Sequence, residues 1–430
     1  MTTHTVEKMP MATQVRSAGP LPAGYSRSRT DSESLCAPLA IEDYVVQSMD
    51  EVSPPKWHLA HTSWFFETLV LKPFLSGYEE FHPLFANLFN SYYESLGDFH
   101  PQPRRGQLSR PTVADVYRYR KYVDAHMAAL LADGAHPHRL EIEQRTVLGI
   151  NHEQQHQELL LTDIKYNFAV NPLRPVYREL ATAAGKATPL RWVGFRGGVR
   201  AIGHAGPGFA YDNESPHHKV HLEDYELASR PVTNGEFIEF IEAGGYRDPA
   251  HWLSDGWKAA RQHDWRAPLY WERVEGRWWQ MTLAGMRLVD EHAPVCHVSF
   301  YEAAAYGHWA NARLPTEAEW ETAALPLAVA GNLREQDFLQ PVPAPAGEPL
   351  LQVYGDVWEW TQSAYSPYPG YRAAEGPLGE YNGKFMSGQF VLRGGSCVTP
   401  ADHIRATYRN FFRPWDRWQF SGLRLARDAR

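Results

Sequence analysis

The stretch NHEQQHQELLLTDIKYN, from Asn151 to Asn167, decides how this chain of 430 residues is interpreted. It contains HEQQH at residues 152–156, which satisfies the H-E-x-x-H pattern of zinc proteases. Two histidines four residues apart on a helix, here His152 and His156, project from the same face, where one metal ion can bridge them. The stretch therefore predicts a metal-binding helix. The rest of the sequence has to distinguish peptide hydrolysis from other metal chemistry.

Composition limits the class of protein. Hydrophobic residues make up 43% of the chain and charged residues 21%, as in a globular protein, and the length exceeds one ordinary core, so two domains are expected. The formal net charge of −8 leaves no broad basic surface to release phosphate counterions, so no nucleic-acid partner is expected. No stretch approaches the ~20 apolar residues of a membrane span, so no membrane partner is expected either.

The first residues and the cysteines indicate the compartment. Residues 1–29 lack the apolar segment of a secretory signal and are predicted to be a flexible tail. The three cysteines, Cys36, Cys296 and Cys397, are odd in number and far apart in sequence, which does not suit a disulfide framework. Both features predict a protein of the reducing cytoplasm.

Two parts of the chain have different sequence patterns. Residues 30–178 carry apolar residues at intervals of three and four, with prolines and capping residues at the segment ends, which predicts a four-helix bundle. Its helices are expected near residues 37–48, 54–72, 111–133 and 140–168, with Ser53 and Ser109 as N-caps. Residues 187–428 contain short segments rich in Gly, Pro and Trp, which predicts an α+β domain with much irregular structure.

A third metal ligand is needed to choose between the metal chemistries. After His156 the sequence does not continue in the metzincin pattern, and Glu158 and Asp163 lie on the same helix with poor geometry for a shared ion. His61 lies on the apolar stripe of the predicted helix 54–72, where a buried ionisable group is costly without a partner. A hydrogen-bonded core histidine is the plainer alternative, and His58, one turn away, offers the same ligand type.

Three imidazoles do not identify the metal by themselves. Zinc would complete a tetrahedron with one water, whereas iron(II) would be six-coordinate, with up to three open positions for other ligands. The ligand set therefore leaves zinc and iron(II) open.

Seven motifs occur in order across both parts of the chain: PPKWHLAHTSWFFE, NHEQQHQELLLTDIKYN, RPVTNGEFIEFI, ARLPTEAEWE, GDVWEWTQS, VLRGGSC and RNFF. Together they resemble the iron(II)-dependent sulfoxide synthases of ergothioneine biosynthesis over roughly residues 30–428. The resemblance implies a DinB-like four-helix bundle followed by a formylglycine-generating-enzyme-like domain with a C-type-lectin-like core. It also implies an oxidoreductase that uses Fe(II) and dioxygen to join a thiol sulfur to the imidazole C2 of N-α-trimethylhistidine (hercynine) and oxidises that sulfur to the sulfoxide.

The resemblance also assigns the metal ligands and the tyrosines. It places iron on His61, His152 and His156, so the protease interpretation falls away and Glu153 becomes a helix-surface or supporting residue. Adjacent tyrosines are usually packing residues, but the Tyr92-Tyr93 pair matches the branch that uses free cysteine, with Tyr93 catalytic and Tyr92 supporting it. The branch that uses γ-glutamylcysteine has its tyrosine near Tyr381, so both assignments stay open.

The two substrates need different recognition. A quaternary ammonium has no N–H to donate, so aromatic faces and oxygen dipoles have to hold it. Arginine can bind the carboxylate of the thiol substrate, although a solvated basic loop is the plainer alternative. For hercynine the resemblance singles out Asn410, Phe411 and Phe412, although core packing is the plainer role for most aromatics of this segment, and Gln155 is the candidate for its carboxylate. The candidates for the thiol are Arg105, which is preferred, Arg104 and Arg110. Phe411-Phe412 stands where another branch has Trp-Asp, which favours a different thiol.

Other functions remain as alternatives. An ovothiol-type synthase would act on unmethylated histidine, and some DinB-like bundles are thiol transferases without a second domain. A noncatalytic lectin-like binding protein has no need for buried histidines. A formylglycine-generating enzyme uses paired cysteines in a motif that Cys296 and Cys397 do not supply.

Overall fold

The first helix begins earlier than the sequence predicts. The computed structural model describes residues 20–347 and 349–429. Residues 1–19 of the predicted tail lie outside this range, whereas helix α1 (Leu21–Cys36) begins inside the predicted tail. The helix predicted near residues 37–48 is only a 3₁₀ segment, Ile41–Val45, and α1 takes its place in the bundle.

Four long helices form the N-terminal bundle. They are α1, α2 (Pro55–Phe66), α5 (Val113–Ala132) and α6 (Arg139–Val170). Helix α2 continues through a π-helical segment, Glu67–Leu71, into α3 (Lys72–Phe74), and a short helix, α4 (Phe85–Phe89), precedes the Tyr92-Tyr93 pair. Helix α6 packs on both α1 and α2, and α2 also packs on α5. This packing brings the histidine-bearing faces of α2 and α6 together.

The predicted N-caps are both wrong, for local reasons. Helix α5 is capped by Thr112, whose side chain accepts the amide N–H of Asp115 in a reciprocal capping box, so Ser109 lies outside the helix. At α2 the N-cap position is Pro54, and Ser53 instead accepts a hydrogen bond from Arg105 through its hydroxyl.

The C-terminal part consists of small sheets and four further helices. The helices are α7 (Asn234–Glu242), α8 (Ser254–Gln262), α9 (Phe300–Trp309) and α10 (Glu317–Ala324). The strands are β1 (Trp192–Phe195), β2 (Gly198–Ile202), β3 (His218–Leu222), β4 (Tyr225–Ala228), β5 (Trp271–Val274), β6 (Arg277–Thr282), β7 (Gly285–Leu288), β8 (Gly331–Asn332), β9 (Tyr354–Gly355), β10 (Trp358–Ala364), β11 (Phe390–Arg393), β12 (Asn410–Phe412), β13 (Ser421–Gly422) and β14 (Ala426–Asp428).

One sheet positions the residues that face the bundle. Its strand order is β12-β11-β10-β13, in which β10 and β13 are parallel and the other pairs are antiparallel. The register sets Phe412 opposite Phe390 and Asn410 opposite Leu392. A second sheet, β1-β4-β14, joins the start of this domain to its end. Short strands with irregular connections agree with the predicted α+β architecture.

Helix α6 connects the two parts. One face belongs to the bundle, and residues of the other face bond to the C-terminal domain: Gln154 to Asp402, Gln155 to Tyr408 and Tyr381, and Lys165 to His297. Within the described residues, no helix combines the length and the apolar character needed to cross a membrane.

Candidate metal centre

Three histidines from two bundle helices converge on one point. His61 lies on α2, and His152 and His156 lie one turn apart on α6. One ligand atom from each ring can be chosen so that all three lie within 4.8 Å of one another. The Nε2 atoms of His61 and His152 are 3.2 Å apart. The predicted convergence of these three side chains is therefore present in the fold.

Aromatic rings and a backbone carbonyl fix the orientation of His61. Its Nδ1 lies 2.6 Å from the carbonyl oxygen of Phe89, which accepts the Nδ1–H and leaves Nε2 directed toward the other histidines. The Trp57 ring stacks on the imidazole at a centroid distance of 4.5 Å, and the Trp64 ring stacks at 5.4 Å. The side chain is fully buried, so it has little freedom to turn away.

His156 is held by a chain of polar groups that includes His58. The two Nδ1 atoms of His156 and His58 lie 2.9 Å apart, and Nε2 of His58 lies 3.0 Å from Oδ2 of Asp163. Asp163 also accepts the amide N–H of Ser53. Carboxylate–histidine chains of this kind orient metal-binding imidazoles in proteins. His58 thus supports His156, and the preference for His61 over His58 in the three-histidine cluster agrees with the geometry.

The cluster suits a divalent transition metal. Burial lowers the pKa of His152 to about 3 and lowers those of His61 and His156 well below the ordinary value, so the three rings are neutral at neutral pH. Neutral imidazole nitrogen is a preferred ligand of zinc and iron(II). The Nδ1 atom of His152 is buried without a hydrogen-bond partner among the described residues. Three neutral ring nitrogens that face one point can all coordinate a shared cation.

Glu153 cannot be the general base of a peptidase. It is fully buried, where its carboxylate accepts hydrogen bonds from Arg29 (2.9 Å), Arg120 (3.0 Å) and Ser32 (2.7 Å). Burial opposes its charge, but the two guanidinium groups outweigh burial and lower the pKa of Glu153 to about 2. Of the two roles expected for Glu153, the helix-surface position is wrong, because this face of α6 packs on a polar face of α1, and the supporting role remains. Glu153 stabilises the bundle behind the histidines.

Both candidate tyrosines lie close to the histidines. The buried Tyr93 ring is 5.5 Å from Trp64, which itself stacks on His61, and 4.9 Å from the Tyr92 ring. The Tyr381 ring is 6.4 Å from His152 and 5.6 Å from Tyr92. Burial raises the pKa of Tyr93 and of Tyr381, so both hydroxyls keep their protons at neutral pH.

A cavity lies between α6 and the C-terminal domain, beside the histidines. Its internal volume is about 150 Å³, and it opens to solvent. The predicted substrate residues Gln155, Asn410, Phe411 and Phe412 all line it, together with Tyr381. Ten further lining residues were not predicted from the sequence, among them Glu158, Tyr211, Trp358, Tyr408 and Arg409. The spacing of Glu158 from Gln155, one helical turn, was the signal for one of them.

The cavity end of Gln155 already has partners. Its Nε2 donates to the Tyr408 hydroxyl (2.6 Å), and its Oε1 accepts from the Tyr381 hydroxyl (2.7 Å). Two tyrosines of the C-terminal domain therefore fix the orientation of the Gln155 side-chain amide. Gln155 directly precedes His156 in the chain. The amide NH₂ carries two hydrogens, so its second N–H can donate to a ligand carboxylate while the first stays on Tyr408.

The two predicted arginines differ in their environment. Arg105 is buried, with its guanidinium carbon 3.4 Å from the centroid of the Trp57 ring and its Nη1 donating to Ser53 (2.9 Å). Burial lowers the pKa of Arg105 to about 9. Since Trp57 also stacks on His61, Arg105 lies near the metal centre. Arg104 is exposed on the same 3₁₀ segment, Gln102–Gln107.

Comparisons with known proteins agree with both parts of this architecture. Residues 25–160 match the DinB superfamily, and residues 178–341 and 340–429 match the sulfatase-modifying factor enzyme 1-like domain. The chain is 31% identical to a hercynine oxygenase of Mycolicibacterium thermoresistibile, over 88% of each chain. It is 32% identical to a hercynine oxygenase of Mycobacterium tuberculosis, over 88% of this chain and 91% of the relative.

The C-terminal part has a separate similarity. It is 30% identical to a formylglycine-generating enzyme of Streptomyces coelicolor, over 54% of this chain and 88% of that enzyme. The formylglycine-generating enzyme thus lacks a counterpart for much of the bundle, whereas the hercynine oxygenases match both parts. The chain therefore belongs to the family of ergothioneine-biosynthesis sulfoxide synthases, oxygen-dependent oxidoreductases that include hercynine oxygenase.

Proposed function

We propose that this enzyme uses iron(II) and dioxygen to join the sulfur of cysteine to the imidazole C2 of hercynine, giving hercynylcysteine sulfoxide. The observation that carries the proposal is the convergence of His61, His152 and His156 beside a cavity with aromatic walls. The proposal divides the chain into a metal-binding bundle, residues 30–178, and a substrate-binding domain, residues 187–428. The three free cysteines support a cytoplasmic location.

The proposed metal site leaves the chain's own residues with distinct tasks. His61, His152 and His156 would hold iron(II), which supplies electrons and open coordination positions for oxygen chemistry when bound. The aromatic walls and Asn410 bind hercynine and exclude water from the reacting groups. Arg105, a buried cation beside the cluster, binds the carboxylate of the thiol substrate. Holding both substrates beside the three histidines replaces an encounter in solution with a fixed geometry.

Cysteine is the proposed thiol because of the wall formed by β12. Phe411 and Phe412 are apolar, and the Phe411 ring is stacked on Tyr365 at a centroid distance of 4.1 Å. A γ-glutamyl extension brings a further carboxylate and amine, for which these two positions offer neither a hydrogen bond nor a charge. The smaller thiol fits this wall better.

The proposed reaction is tested by oxygen consumption with iron(II) and hercynine, comparing cysteine with γ-glutamylcysteine and identifying the products by mass. We expect the sulfoxide of hercynylcysteine with cysteine and a much slower reaction with γ-glutamylcysteine. Histidine in place of hercynine tests an ovothiol-type activity in the same assay. Absence of any coupled product with hercynine and either thiol would contradict the proposed function.

Tyr93 is the proposed catalytic tyrosine, with its hydroxyl as the proton source and Tyr92 in support. We expect Tyr93→Phe to slow sulfoxide formation by about 10²-fold, the usual contribution of a positioned proton donor, and to divert cysteine to simple thiol oxidation. Tyr381→Phe is expected to have the smaller effect on the product ratio. The measurement is the rate and the ratio of the two products.

Tyr122→Phe is the matched control, since the Tyr122 hydroxyl donates to the backbone carbonyl of Glu79, away from the cavity. An unchanged rate and product ratio in Tyr93→Phe would remove Tyr93 from the mechanism. A large loss in Tyr381→Phe alone would transfer the role to Tyr381.

A further inference from the structure

The segment of residues 376–386, here called the strap, belongs to the C-terminal domain but lies against the bundle loop that carries the tyrosine pair. It contains two 3₁₀ turns, Gly376–Glu380 and Gly383–Phe385. One side of the strap reaches the cavity, where the Tyr381 hydroxyl donates to Oε1 of Gln155. The other side contacts the loop, so the strap connects the cavity wall with the tyrosine pair.

Glu380 of the strap binds the backbone that directly follows the tyrosine pair. Its Oε2 accepts the amide N–H of Glu94 (3.0 Å), and its Oε1 accepts both the amide N–H (3.2 Å) and the hydroxyl of Ser95. Hydrogen bonds to a carboxylate are stronger than those between neutral groups. One charged side chain of the C-terminal domain thus fixes the first two residues after Tyr93.

Lys384 of the strap binds the loop at Tyr92 itself. Its Nζ donates to the carbonyl oxygen of Tyr92 (2.5 Å) and forms an ion pair with Glu380 (3.0 Å). The Tyr92 ring also contacts two rings of the strap, those of Tyr381 at a centroid distance of 5.6 Å and of Phe385 at 5.3 Å. The ion pair joins the two anchors, so the strap holds the loop on both sides of the proposed catalytic tyrosine.

Bonds within the bundle give the loop its shape. The Asn90 side chain accepts the amide N–H of Tyr93 (3.2 Å) and donates to the carbonyl oxygen of the same residue (3.0 Å). Asn90 lies only three residues before Tyr93, so these bonds are local. The strap, by contrast, attaches the loop to the domain that forms the wall of the cavity opposite α6.

We propose that Glu380 and Lys384 are positioning residues, which hold Tyr93 in the place where its hydroxyl serves as a proton donor. This inference rests on the proposed function and adds that the C-terminal domain controls a tyrosine of the bundle. Neither side chain has to contact a substrate, because a shift of about 1 Å in a reacting group can lower a rate by about 10²-fold.

Two variants of the strap test the role of these side chains. Glu380→Gln keeps the shape and removes the charge, and Lys384→Met removes the ammonium group. We expect each to slow sulfoxide formation by about 10-fold and to shift the products toward simple thiol oxidation. The loss should be smaller than in Tyr93→Phe, because the hydroxyl is displaced and not removed.

The iron content and the dissociation constant of hercynine, measured on the iron-loaded protein without oxygen, should stay unchanged in both variants, since Tyr381 still binds Gln155. Lys384→Arg, which retains the charge and the donors, should restore the rate and the product ratio. Glu375→Gln is the matched control, because Glu375 directly precedes the strap and is exposed.

A double variant separates positioning from a general structural role. If Glu380 acts through the Tyr93 hydroxyl, Glu380→Gln should cause no further loss when it is added to Tyr93→Phe, whereas independent effects would add. Hydrogen exchange at the amides of Glu94 and Ser95 reports on the loop directly, and Glu380→Gln should accelerate it.

Several results would overturn this inference and leave the proposed function standing. They are an unchanged rate and product ratio in both strap variants, an additive loss in the double variant, unchanged exchange of the two amides, or a loss of hercynine affinity as large as the loss of rate. Wild-type protein that forms no coupled product would overturn the proposed function, and this inference with it, before any variant is compared.

Discussion

Replacing His61, His152 or His156 by alanine is expected to abolish stoichiometric iron(II) binding and to reduce hercynine-dependent oxygen consumption to background. Each ring supplies one of three nitrogen donors that lie within 4.8 Å of one another, and no second cluster of this kind is found among the described residues. Mutation of a group that only orients a metal ligand lowers the metal affinity by about 10- to 100-fold. Loss of a direct ligand should exceed that range. Metal analysis of the purified variants gives the measurement.

The control for these variants is His126→Ala. His126 lies on α5, where its Nδ1 is 2.8 Å from the carbonyl oxygen of Tyr122, and it takes no part in the cluster. We expect this variant to retain iron in the wild-type ratio. Full retention of iron by all three cluster variants would contradict the metal centre.

Glu153→Gln is expected to cause the largest loss of stability of any single charge removal in the bundle. The carboxylate lies between Arg29 and Arg120, and all three side chains are almost completely buried. Removing one partner of a buried ion pair costs about 3–5 kcal/mol, because the remaining charges stay in a medium of low polarity. The free energy of unfolding in denaturant, followed by helical circular dichroism, measures the effect.

Glu141→Gln is the matched substitution on the same helix. Glu141 pairs with Arg145 at the surface of α6, and an exposed pair of this kind contributes about 0.5 kcal/mol or less. If the two variants unfold at the same denaturant concentration, the buried network does not stabilise the bundle as described.

Apolar periodicity predicted the helices whose buried faces are apolar and failed where the buried face is polar. Helices α2, α5 and α6 appear close to the expected positions because stripes such as Val116, Val123 and Met127 mark their cores. Helix α1 buries Ser28, Arg29 and Ser32, which carry no such signal. Pairing of Arg29 with Glu153 and Asp124, both on distant segments, makes that face compatible with burial.

The metal cluster was predictable, whereas most of the cavity was not. Two of its histidines share a helical spacing, whereas the third, His61, was chosen over His58 and over a plain core histidine through the family resemblance. The cavity walls depend on how β10 and β12 pack against α6. Local sequence patterns do not predict this packing. Glu158 illustrates the limit: in the sequence it is an ordinary helical glutamate, and its environment comes from Trp358, Ser396 and Thr399, more than 190 positions away.

Helix α6 carries His152 and His156 on the same side as Gln155 and Glu158, within two turns. Any shift of this helix moves the two histidines and one wall of the cavity together. Substitutions along α6 are therefore expected to disturb the histidine cluster and the cavity at once. The opposite wall, formed by Trp358, Phe411 and Phe412, is the surface that can diverge between related enzymes without disturbing the three histidines.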